Sequence, residues 1–414
     1  MEKMANSKDS VVIIGAGQAG GECAKNLRRD GFEGPIILVG DEAHLPYERP
    51  PLSKNIMSGA ADLSSCYLWT PSTAQELDID FRQEVTVTAI DRNRHLVQLA
   101  GGAEIPYHKL VLATGGRVRK LPLEGADHDK IYYLRSIADS LALQKELAIG
   151  KKLVVIGGGW IGLEVAATAR QKGLEVTVLE AESRLCARAV PPEVSEFLAR
   201  LHRENGVDVE LDAAVEGFPQ TPGGGLQVSL QDGRTFEADF IVVGIGLVPN
   251  IDLAVQAGLE TNNGIVTTAE GRTSDPDIYA IGDIAHYKNR HLGRDLRLES
   301  WANAQAMAVA CSKDITGQQA LQDECPWFWS DQYDVNIQLL GVPEHWSAPV
   351  VRGNDQTNSY SLFYLKDDQV EAAITFNAAR DMAVAKRFIQ RRTSVSRTDL
   401  VDEGLRLQSL LKKK

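Results

Sequence analysis

Two stretches of the 414-residue chain share a pattern that allows few folds: a short apolar run, a glycine-rich turn and a helix-forming segment. The first leads from residues 10–14 into the turn GAGQAG at 15–20, and the second leads from 153–156 into GGGWIG at 157–162. Apolar runs this short, bounded by glycine, are typical of buried parallel strands. A glycine stop and another apolar run follow each helix. Two βαβ units about one domain length apart are therefore predicted, which indicates an internal duplication.

Each glycine-rich turn has the features of a dinucleotide-binding site. Its first glycine makes the turn, the second admits a pyrophosphate, and the third lets the helix pack on the strand. An acidic residue ends the next strand in both units: Asp41 lies 21 residues beyond Gly20, and Glu180 lies 18 residues beyond Gly162. Such a carboxylate accepts hydrogen bonds from an adenosine ribose and repels a 2′-phosphate, so Glu180 favours NADH over NADPH. Two sites in one chain indicate one nucleotide that is held and one that exchanges, the arrangement of a flavin enzyme.

Length indicates the number of domains, and charge and cysteine usage exclude several classes of protein. A chain of 414 residues predicts two or three domains. The net charge of −12 argues against nucleic-acid binding, although residues 378–414 carry ten Lys or Arg against four Asp or Glu. That basic end is either a solvated helix face or a docking face for an acidic macromolecule. The five scattered cysteines predict neither a metal site nor disulfides. With no signal-like start and no apolar run of membrane-spanning length, the predicted location is cytoplasmic.

The rest of the chain indicates further strands and a third domain. The additional strand-like segments lie at 85–90, 95–99, 109–116, 236–244 and 278–283. From about residue 321 aromatic residues precede a hairpin predicted across 361–365 and 370–374, and two helices are predicted at the end. The sequence therefore predicts an α/β fold with two Rossmann-like dinucleotide-binding domains and an α+β C-terminal domain.

Seven motifs together carry a specific resemblance. They are residues 11–20, YERPPLSK at 47–54, LATGG at 112–116, residues 155–164, GIGLVPN at 244–250, residues 279–283 and residues 326–333. Along essentially its whole length the chain resembles the FAD-dependent NADH:ferredoxin reductases of bacterial oxygenase systems, the putidaredoxin reductase-like group with a glutathione-reductase-like fold. The resemblance implies a discontinuous FAD-binding domain at 1–117 and 248–321. It also implies an NADH-binding domain at 118–247 and a C-terminal interface domain at 322–414.

The resemblance also implies which residues contact FAD. Ala19 would lie on the pyrophosphate turn, Asp41 at the adenosine ribose, Val87 at the adenine, Lys54 near the flavin N5, Arg135 at the polar portion, Asp283 at the ribityl–phosphate linkage and Trp301 beside the flavin. The same motifs add Gly15, Gly17, Gly20, Arg49, Ala113, Thr114 and Gly282. The positive end of the helix that starts at Trp301 would stabilise reduced flavin. Taken singly, Lys54 and Arg49 can equally be surface cations, Asp283 a helix cap and Trp301 a core residue.

A second set of residues is implied for NADH. It comprises Gly157, Gly159, Ile161, Gly162, Glu180, Arg188 and Gly244, with Arg188 preferred over Arg184 as the anchor for the adenosine or pyrophosphate. Glu164 would reach the nicotinamide carboxamide and pair with Lys54, which makes these two the predicted catalytic residues. The alternative for Glu164 is an exposed first-turn glutamate that favours the helix dipole.

The route by which electrons leave is indicated by an absence in the sequence. Disulfide reductases need a redox cysteine pair near the flavin, and related oxidases and peroxidases need one reactive cysteine, but residues 44–54 contain none. Electrons would then pass directly from the flavin to a one-electron acceptor. The resemblance implies an acidic, transiently docking [2Fe–2S] ferredoxin that serves a cytochrome P450 or a ring-hydroxylating dioxygenase. The predicted oligomeric state is a monomer or a weak dimer.

The predicted docking face combines Trp327 and Trp329 with Arg290, Arg294, Arg297 and the basic end, although the tryptophans can instead be core. The helix after Trp301 carries no positive charge at 304–310, unlike that of some relatives, so the partner can dock differently. Two other functions stay open. One is reduction of rubredoxin, a quinone or a radical acceptor, and the other is a redox-sensing role resembling that of apoptosis-inducing factor.

Overall fold

A computed structural model of the chain describes residues 9–219, 225–320 and 325–412. The helices are α1 (Gln18–Arg29), α2 (Thr73–Glu76), α3 (Ile137–Glu146), α4 (Trp160–Gln171), α5 (Pro192–Glu204), α6 (Asp252–Gln256), α7 (Trp301–Ile315), α8 (Ala379–Arg391), α9 (Arg397–Val401) and α10 (Leu407–Leu410). The strands up to residue 150 are β1 (Val11–Ile14), β2 (Ile36–Val39), β3 (Ile79–Arg82), β4 (Val87–Asp91), β5 (Leu96–Leu99), β6 (Glu104–Pro106), β7 (Lys109–Leu112), β8 (Gly116–Val118) and β9 (Ile131–Tyr133).

The strands of the middle of the chain are β10 (Lys152–Ile156), β11 (Glu175–Leu179), β12 (Val207–Glu210), β13 (Val215–Gly217), β14 (Leu226–Leu230), β15 (Thr235–Ala238), β16 (Phe240–Val243), β17 (Leu247–Pro249), β18 (Thr261–Asn262), β19 (Gly264–Thr267), β20 (Ile278–Ala280), β21 (Ala285–Asn289) and β22 (Arg294–Arg297). The last strands are β23 (Trp327–Gln332), β24 (Val335–Leu340), β25 (Val350–Gly353), β26 (Tyr360–Lys366) and β27 (Gln369–Phe376). Among the described residues, no helix is both long and apolar enough to cross a membrane.

The first glycine-rich unit forms the centre of a parallel sheet. The strand order is β3, β2, β1, β7, β20, and every neighbouring pair is parallel. Val11 and Ile13 of β1 pack with residues of α1 and α7 on one face, and Val12 and Ile14 pack with the β4–β6 layer on the other. Because both faces are covered, all of β1 is buried, which accounts for its continuous apolar run.

The second unit repeats this architecture, as the duplication predicted. Its parallel sheet has the order β12, β11, β10, β16, β9. In both units the first three strands lie in the order third, second, first. A small antiparallel sheet, β4–β6 or β13–β15, precedes the fourth strand, β7 or β16. The repeats differ in the fifth strand, because β20 follows the first unit in sequence whereas β9 precedes the second.

The C-terminal region forms an antiparallel sheet in the order β23, β24, β27, β26, β25. Strands β26 and β27 pair as the predicted hairpin, with Leu362 opposite Ile374. The prediction of two final helices was wrong, since the described residues contain α8 and two short helices, α9 and α10. A hydrophobic pattern locates the short helices poorly because each buries only one or two side chains, such as Leu400 in α9.

The chain crosses between the two nucleotide-binding units at two adjacent points. Strands β8 and β17 pair there antiparallel, with Val118 opposite Leu247. This pair supports our proposal that the NADH-binding domain spans 118–247 as an insertion in the FAD-binding domain at 1–117 and 248–321. The boundary proposed between residues 321 and 322 lies outside the described residues.

The C-terminal antiparallel sheet of β23 to β27, called the third sheet below, shares a hydrophobic core with the second unit. Phe197 of α5 contacts Tyr360 and Phe376, which stack on each other in the third sheet, and the Phe197 and Phe376 ring centroids are 4.1 Å apart. His202, five residues further along α5, is fully buried at this interface and its Nε2 lies 2.8 Å from Oε1 of Gln332. Burial lowers the pKa of His202 from its ordinary 6.5 to about 4.

We expect this interface to weaken as the pH falls from about 6.5 toward 4, because the His202 imidazole binds a proton at a higher pH in the unfolded chain than in the folded protein. The full pKa shift of His202 corresponds to a loss of about 3 kcal/mol in the free energy of unfolding. The thermal midpoint is measured at neutral pH and at pH near 5 for the wild type, for His202→Asn and for His345→Asn, which changes an exposed histidine. The His202 variant should lose less stability on acidification than the other two proteins. Equal losses in all three would contradict the assignment.

Candidate active site between the two nucleotide-binding units

The first glycine-rich turn has two crowded glycines and one open one. A Cβ on Gly15, whose φ is +107°, would lie 2.3 Å from the Ala113 carbonyl oxygen. A Cβ on Gly20 would lie 1.9 Å from the Gly15 carbonyl oxygen, whereas one on Gly17 would meet no atom within 4 Å. No side chain caps α1, which starts at this turn. The crowded glycines hold the turn against the sheet, and the open one leaves its outer side accessible to a pyrophosphate at the helix N-terminus.

The second turn has the same arrangement. A Cβ on Gly157, at φ +105°, would lie 2.5 Å from the Gly244 carbonyl oxygen, and one on Gly162 would lie 2.1 Å from the Gly157 carbonyl oxygen. A Cβ on Gly159 would have its nearest neighbour 3.9 Å away. Ile161, in the first turn of α4, is 46% exposed, which leaves an apolar surface beside the uncapped helix end. Both turns therefore fit a dinucleotide by the same geometry.

The two predicted ribose carboxylates lie at the carboxyl ends of equivalent strands. Asp41 is exposed, two residues beyond the end of β2. Glu180 follows β11 directly, and its Oε2 accepts a 2.7 Å hydrogen bond from the backbone N–H of Gly158 while Oε1 accepts one of 2.9 Å from that of Glu182. Glu180 is thus fixed against the second glycine-rich turn.

Replacing Glu180 by alanine is expected to weaken NADH binding about tenfold, because a partly buried carboxylate that accepts a hydrogen bond from Gly158 is lost from the nucleotide side of the turn. FAD content should be unchanged, since the first turn is untouched. Glu182→Ala, at an exposed position two residues on, is the matched control. The dissociation constant for NADH is measured by titration of the oxidised protein with a non-reducing NADH analogue. An unchanged constant in the Glu180 variant would remove the ribose assignment.

Polar side chains converge beyond the first turn. Arg135 lies with its Nη2 3.4 Å from Oδ2 of Asp283, and Arg49 donates to the Arg135 carbonyl oxygen and, at 3.0 Å, to Glu42. Burial raises the pKa of the Asp283 carboxyl and lowers the pKa of the Arg135 guanidinium, where the nearby Arg49 cation adds to the effect. Within the part of the chain that the structure describes, the Arg135 Nε and the side-chain amide of Gln18 are buried without a hydrogen-bond partner.

Such buried unpartnered donors are unusual in folded proteins. Gln18 opens α1 directly after the open Gly17, so its side-chain amide starts at the position that the turn offers to a pyrophosphate. Hydroxyl and phosphate oxygens of FAD are suitable partners for them. The residues present therefore fit the predicted cofactor.

The other predicted FAD residues lie around the same sheet edge. Thr114 follows β7 and exchanges hydrogen bonds with Asn250 of 2.7 and 2.9 Å. Gly282 is in close contact with Ala19 of α1, since a Cβ on Gly282 would lie 3.0 Å from that of Ala19. Val87 is the partly buried first residue of β4 and packs against the core that contains Val39 and Leu112.

Trp301 starts α7 and is only partly buried, so it is not simply a core residue. Its Nε1 donates a 3.0 Å hydrogen bond to Glu48 of the YERPPLSK motif, and its ring lies edge-on to Trp329 with centroids 5.5 Å apart. It therefore links the first unit to the third sheet.

Glu164 and Lys54 form the ion pair that the resemblance implied. The Lys54 ammonium lies 2.7 Å from Glu164 Oε2, which also accepts a 2.5 Å hydrogen bond from the Ser53 hydroxyl. Ser330 donates to Glu164 Oε1 at 2.6 Å. Glu164 is 3% exposed, so it is not a surface residue that merely favours the helix dipole. The Glu164 carboxylate, from the predicted NADH-binding domain, is thus held by side chains of both other predicted domains.

Sequence reasoning missed Ser53 and Ser330 as partners of Glu164. Ser53 precedes Lys54 in the same motif, and that neighbourhood was the available signal. Ser330 is 166 residues from Glu164 and nothing local indicates the contact.

The structure distinguishes the two arginines considered as anchors for NADH. Arg184 donates to the Ala187 and Val190 carbonyl oxygens, whereas Arg188 is exposed and lies beside Gly246 after β16.

Cys66 and Cys325 have thiols that are poorly suited to redox chemistry. Cys66 packs among Leu52 and Ile56, and its thiol donates to the Leu63 carbonyl oxygen at 3.0 Å. Burial raises the pKa of the Cys66 thiol, and the same cause raises the pKa of Cys325 to about 12. Buried thiols of this kind are poor nucleophiles. The segment 44–54 therefore contributes Lys54 to an ion pair with Glu164 and contains no thiol.

Comparison with known proteins assigns the chain to a family. A family model described as pyridine nucleotide-disulphide oxidoreductase matches residues 9–308, and one described as reductase C-terminal matches 327–411. Putidaredoxin reductase of Pseudomonas putida is 40% identical over 411 residues, which are 98% of this chain and 97% of that protein. The ferredoxin–NAD(+) reductase component of the anthranilate 1,2-dioxygenase system of Burkholderia cepacia is 38% identical over 408 residues, 98% and 100% of the two chains.

Solved structures agree. The covalent putidaredoxin reductase–putidaredoxin complex matches with a TM-score of 0.95 and 40% identity, covering 98% of this chain and 99% of that one. A ferredoxin reductase for the CYP199A2 system from Rhodopseudomonas palustris matches with a TM-score of 0.93 and 37% identity, covering 97% and 99%. These matches confirm the predicted fold, the enzyme class, and FAD and NADH as cofactors. The chain therefore belongs to the pyridine nucleotide-disulphide oxidoreductase family and, within it, to the putidaredoxin reductase-like ferredoxin reductases of oxygenase systems.

Proposed function

We propose that this chain moves hydride from NADH to FAD at the Lys54–Glu164 pair and delivers the electrons singly to a [2Fe–2S] ferredoxin. That ferredoxin serves a cytochrome P450 or a ring-hydroxylating dioxygenase. The observation that carries the proposal is the buried ion pair, in which Glu164 belongs to the helix of the second glycine-rich turn and Lys54 to the first unit. The pair thus lies where the two nucleotides would meet.

The chain's own residues have distinct roles in this proposal. FAD supplies the chemistry of accepting two electrons as hydride and releasing them one at a time. Glu164 orients Lys54 and the nicotinamide carboxamide, which holds the donor carbon in one geometry. The positive end of α7 at Trp301 would favour negative charge on a flavin bound beside it. With no thiol in the segment 44–54, the electrons have no protein disulfide to reduce.

The acceptor is proposed from the relatives and from one surface of the third sheet. The relatives include reductase components of dioxygenase systems, and the structural relative is joined to putidaredoxin. Trp327 and Trp329 stack with centroids 5.1 Å apart and are only partly buried, so they are not a closed core. The Lys386 ammonium lies 4.5 Å above the Trp327 ring. A partly exposed aromatic pair with a cation suits an acidic, transient partner.

We revise the prediction of which arginines belong to this docking face. Arg297 is 11% exposed and donates to the Asp283 carbonyl oxygen and to Glu299, so it belongs to the protein's interior framework. Arg290 pairs with Glu270, and Arg294 donates to the Val342 carbonyl oxygen. Accordingly, Trp327, Trp329 and Lys386 define the docking surface that we propose. A monomer or weak dimer in the cytoplasm remains our prediction.

Charge neutralisation at Lys386 tests this surface. Lys386→Gln is expected to raise the apparent KM for putidaredoxin roughly threefold, and added salt should raise it in the wild type as well. Lys366→Gln, an exposed lysine at the end of β26, is the matched control. Initial rates of cytochrome c reduction through putidaredoxin give the constant. Insensitivity to salt and to Lys386→Gln would refute electrostatic docking.

The acceptor itself is tested with a panel. NADH-dependent cytochrome c reduction should appear only when a [2Fe–2S] protein such as putidaredoxin is added, with rubredoxin and menadione giving much lower rates. Higher rates with rubredoxin or menadione would identify those acceptors, rather than a ferredoxin, as the partners of the enzyme.

Stopped-flow reduction of the flavin should be much faster than steady-state turnover. A slow reduction that leaves a long-lived charge-transfer complex would instead support the redox-sensing role.

A further inference from the structure

A chain of buried hydrogen bonds continues from Glu164 into the interface between the second unit and the third sheet. The Ser330 hydroxyl lies 2.6 Å from Glu164 Oε1, and Gln332 Nε2 lies 3.1 Å from the Ser330 Oγ. Gln332 Oε1 is 2.8 Å from His202 Nε2, and His202 Nδ1 is 3.1 Å from the Tyr333 hydroxyl. Glu164, Ser330, Gln332 and His202 are all nearly or fully buried. The proposed hydride-transfer site is thus continuous with a polar path across the domain interface.

The direction of every bond in this path follows from the carboxylate at its end. An ionised carboxylate only accepts, so Ser330 must give its single hydroxyl hydrogen to Glu164. Its oxygen then accepts from the Gln332 amide, whose carbonyl oxygen in turn accepts from His202 Nε2–H. This fixes the His202 tautomer and leaves Nδ1 to accept from Tyr333. All donors therefore point toward Glu164, and Ser330, Gln332 and His202 each hold two bonds of the path.

A path of this kind is costly where apolar side chains would pack well. The surrounding interface is apolar, with Phe197 and Phe376 in contact beside it. Buried polar groups destabilise a fold unless each one is satisfied, and a satisfied network fixes one arrangement of side chains. The rigidity of this path acts on Glu164, since its other oxygen holds Lys54.

Strand β23 carries this path on one face and the tryptophans on the other. Phe328, Ser330 and Gln332 face the second unit, where Phe328 contacts Trp160 with centroids 5.1 Å apart. Trp327 and Trp329, at the alternate positions, stack on each other and Trp329 contacts Trp301. Side chains alternate along a strand, so the two sets share one backbone. Any displacement of the tryptophans therefore reaches the Glu164 contact through a single peptide unit.

We propose that Ser330, Gln332 and His202 are positioning residues for hydride transfer, which hold the Glu164–Lys54 pair in register with strand β23. This inference rests on the proposed function, because it assumes that the pair orients the nicotinamide. Ser330 acts directly on Glu164. Gln332 and His202 act through Ser330.

The first test removes the Ser330 hydroxyl. In Ser330→Ala the Glu164 Oε1 loses its donor and the carboxylate can rotate about Lys54. We expect the limiting rate of flavin reduction by NADH, measured by stopped flow without any ferredoxin, to fall about tenfold, in the range of orientation effects. The dissociation constant for NADH and the FAD content should change less than about twofold, since no nucleotide-binding turn is altered. Ser330→Thr, which keeps the hydroxyl, should recover most of the rate.

Ser361→Ala is the matched control. Ser361 is a fully buried serine of the same sheet, in β26, and its hydroxyl donates at 2.9 Å to Asp381 rather than to Glu164. This variant loses a comparable buried hydrogen bond, so it should lower thermal stability to a similar degree and leave the rate of flavin reduction unchanged. An equal fall in rate for both serine variants would reduce the role of Ser330 to structural support and overturn the proposal.

A double-mutant cycle tests whether Gln332 acts through Ser330. Gln332→Met removes both amide bonds while conserving length, and it should slow flavin reduction about threefold in the wild type because Ser330 is then free to turn. In the Ser330→Ala background the same change should have no effect on that rate. Independent, multiplicative effects of the two substitutions would show that no relay connects them.

The outcome with Lys54 separates this proposal from the proposed function. If Lys54→Met does not slow flavin reduction, the assignment of the hydride-transfer site fails. If Lys54→Met slows the reaction and Ser330→Ala does not, only the positioning relay fails. If both slow it while putidaredoxin is not reduced, the acceptor is wrong and the relay stands.

Discussion

Lys54→Met is expected to slow the reduction of bound FAD by NADH about 100-fold, the scale of losing one well-oriented contact in a preorganised site. The Lys54 side chain is 18% exposed, and its ammonium lies 2.7 Å from Glu164 Oε2. Methionine keeps the length of the side chain and removes the charge. The rate is measured by stopped-flow bleaching of the flavin under anaerobic conditions.

Two further variants show what the change acts on. Lys25→Met removes a lysine that pairs with Glu22 on the surface of α1, and it should leave the rate unaffected. Lys54→Met alone leaves Glu164 buried without a cation, which also destabilises the fold. The double variant Lys54→Met with Glu164→Gln removes the unpaired buried charge. It should regain thermal stability but not the rate of flavin reduction. A double variant that reduces FAD at the wild-type rate would assign the effect to folding.

The two nucleotide-binding units could be predicted because their signals are local. Strand, turn, helix and following acid lie within a few tens of residues in both copies, and each part is required by the sterics of the turn. The open space at Gly17 and the crowding at Gly15 and Gly20 are what the spacing of the glycines demands. The predicted hairpin of β26 and β27 was equally local.

Contacts between distant segments could not be predicted in this way. The bond between Ser330 and Glu164 joins residues 166 positions apart, and a serine in a strand has no distinguishing pattern. Glu164 had two alternatives that differed only in burial, which depends on how the third sheet packs. For the same reason Arg297 was wrongly expected on an exposed docking face, because composition records its charge but not its 11% exposure.

The middle glycines of the two turns provide the sharpest separation of the two cofactor sites. Gly17→Ala should yield folded protein with little bound FAD, because the added methyl group occupies the side of the turn that faces the pyrophosphate. The change should not disturb the fold itself, since a Cβ there meets no protein atom within 4 Å and φ is −83°, which any residue adopts. FAD content is read from the ratio of flavin to protein absorbance, and folding from circular dichroism.

Gly159→Ala is the corresponding change in the second turn, where φ is also −83° and the nearest atom to a Cβ is 3.9 Å away. This variant should retain FAD and bind NADH at least about tenfold more weakly, an effect of the size expected when a close phosphate approach is blocked. Gly217→Ala in β13, with 3.8 Å to its nearest neighbour, controls for glycine replacement outside the turns. Because the two turns have the same geometry, only their positions in the duplicated fold distinguish them. Loss of FAD from the Gly159 variant, or unchanged FAD in the Gly17 variant, would therefore overturn the assignment of the first unit to FAD and the second to NADH.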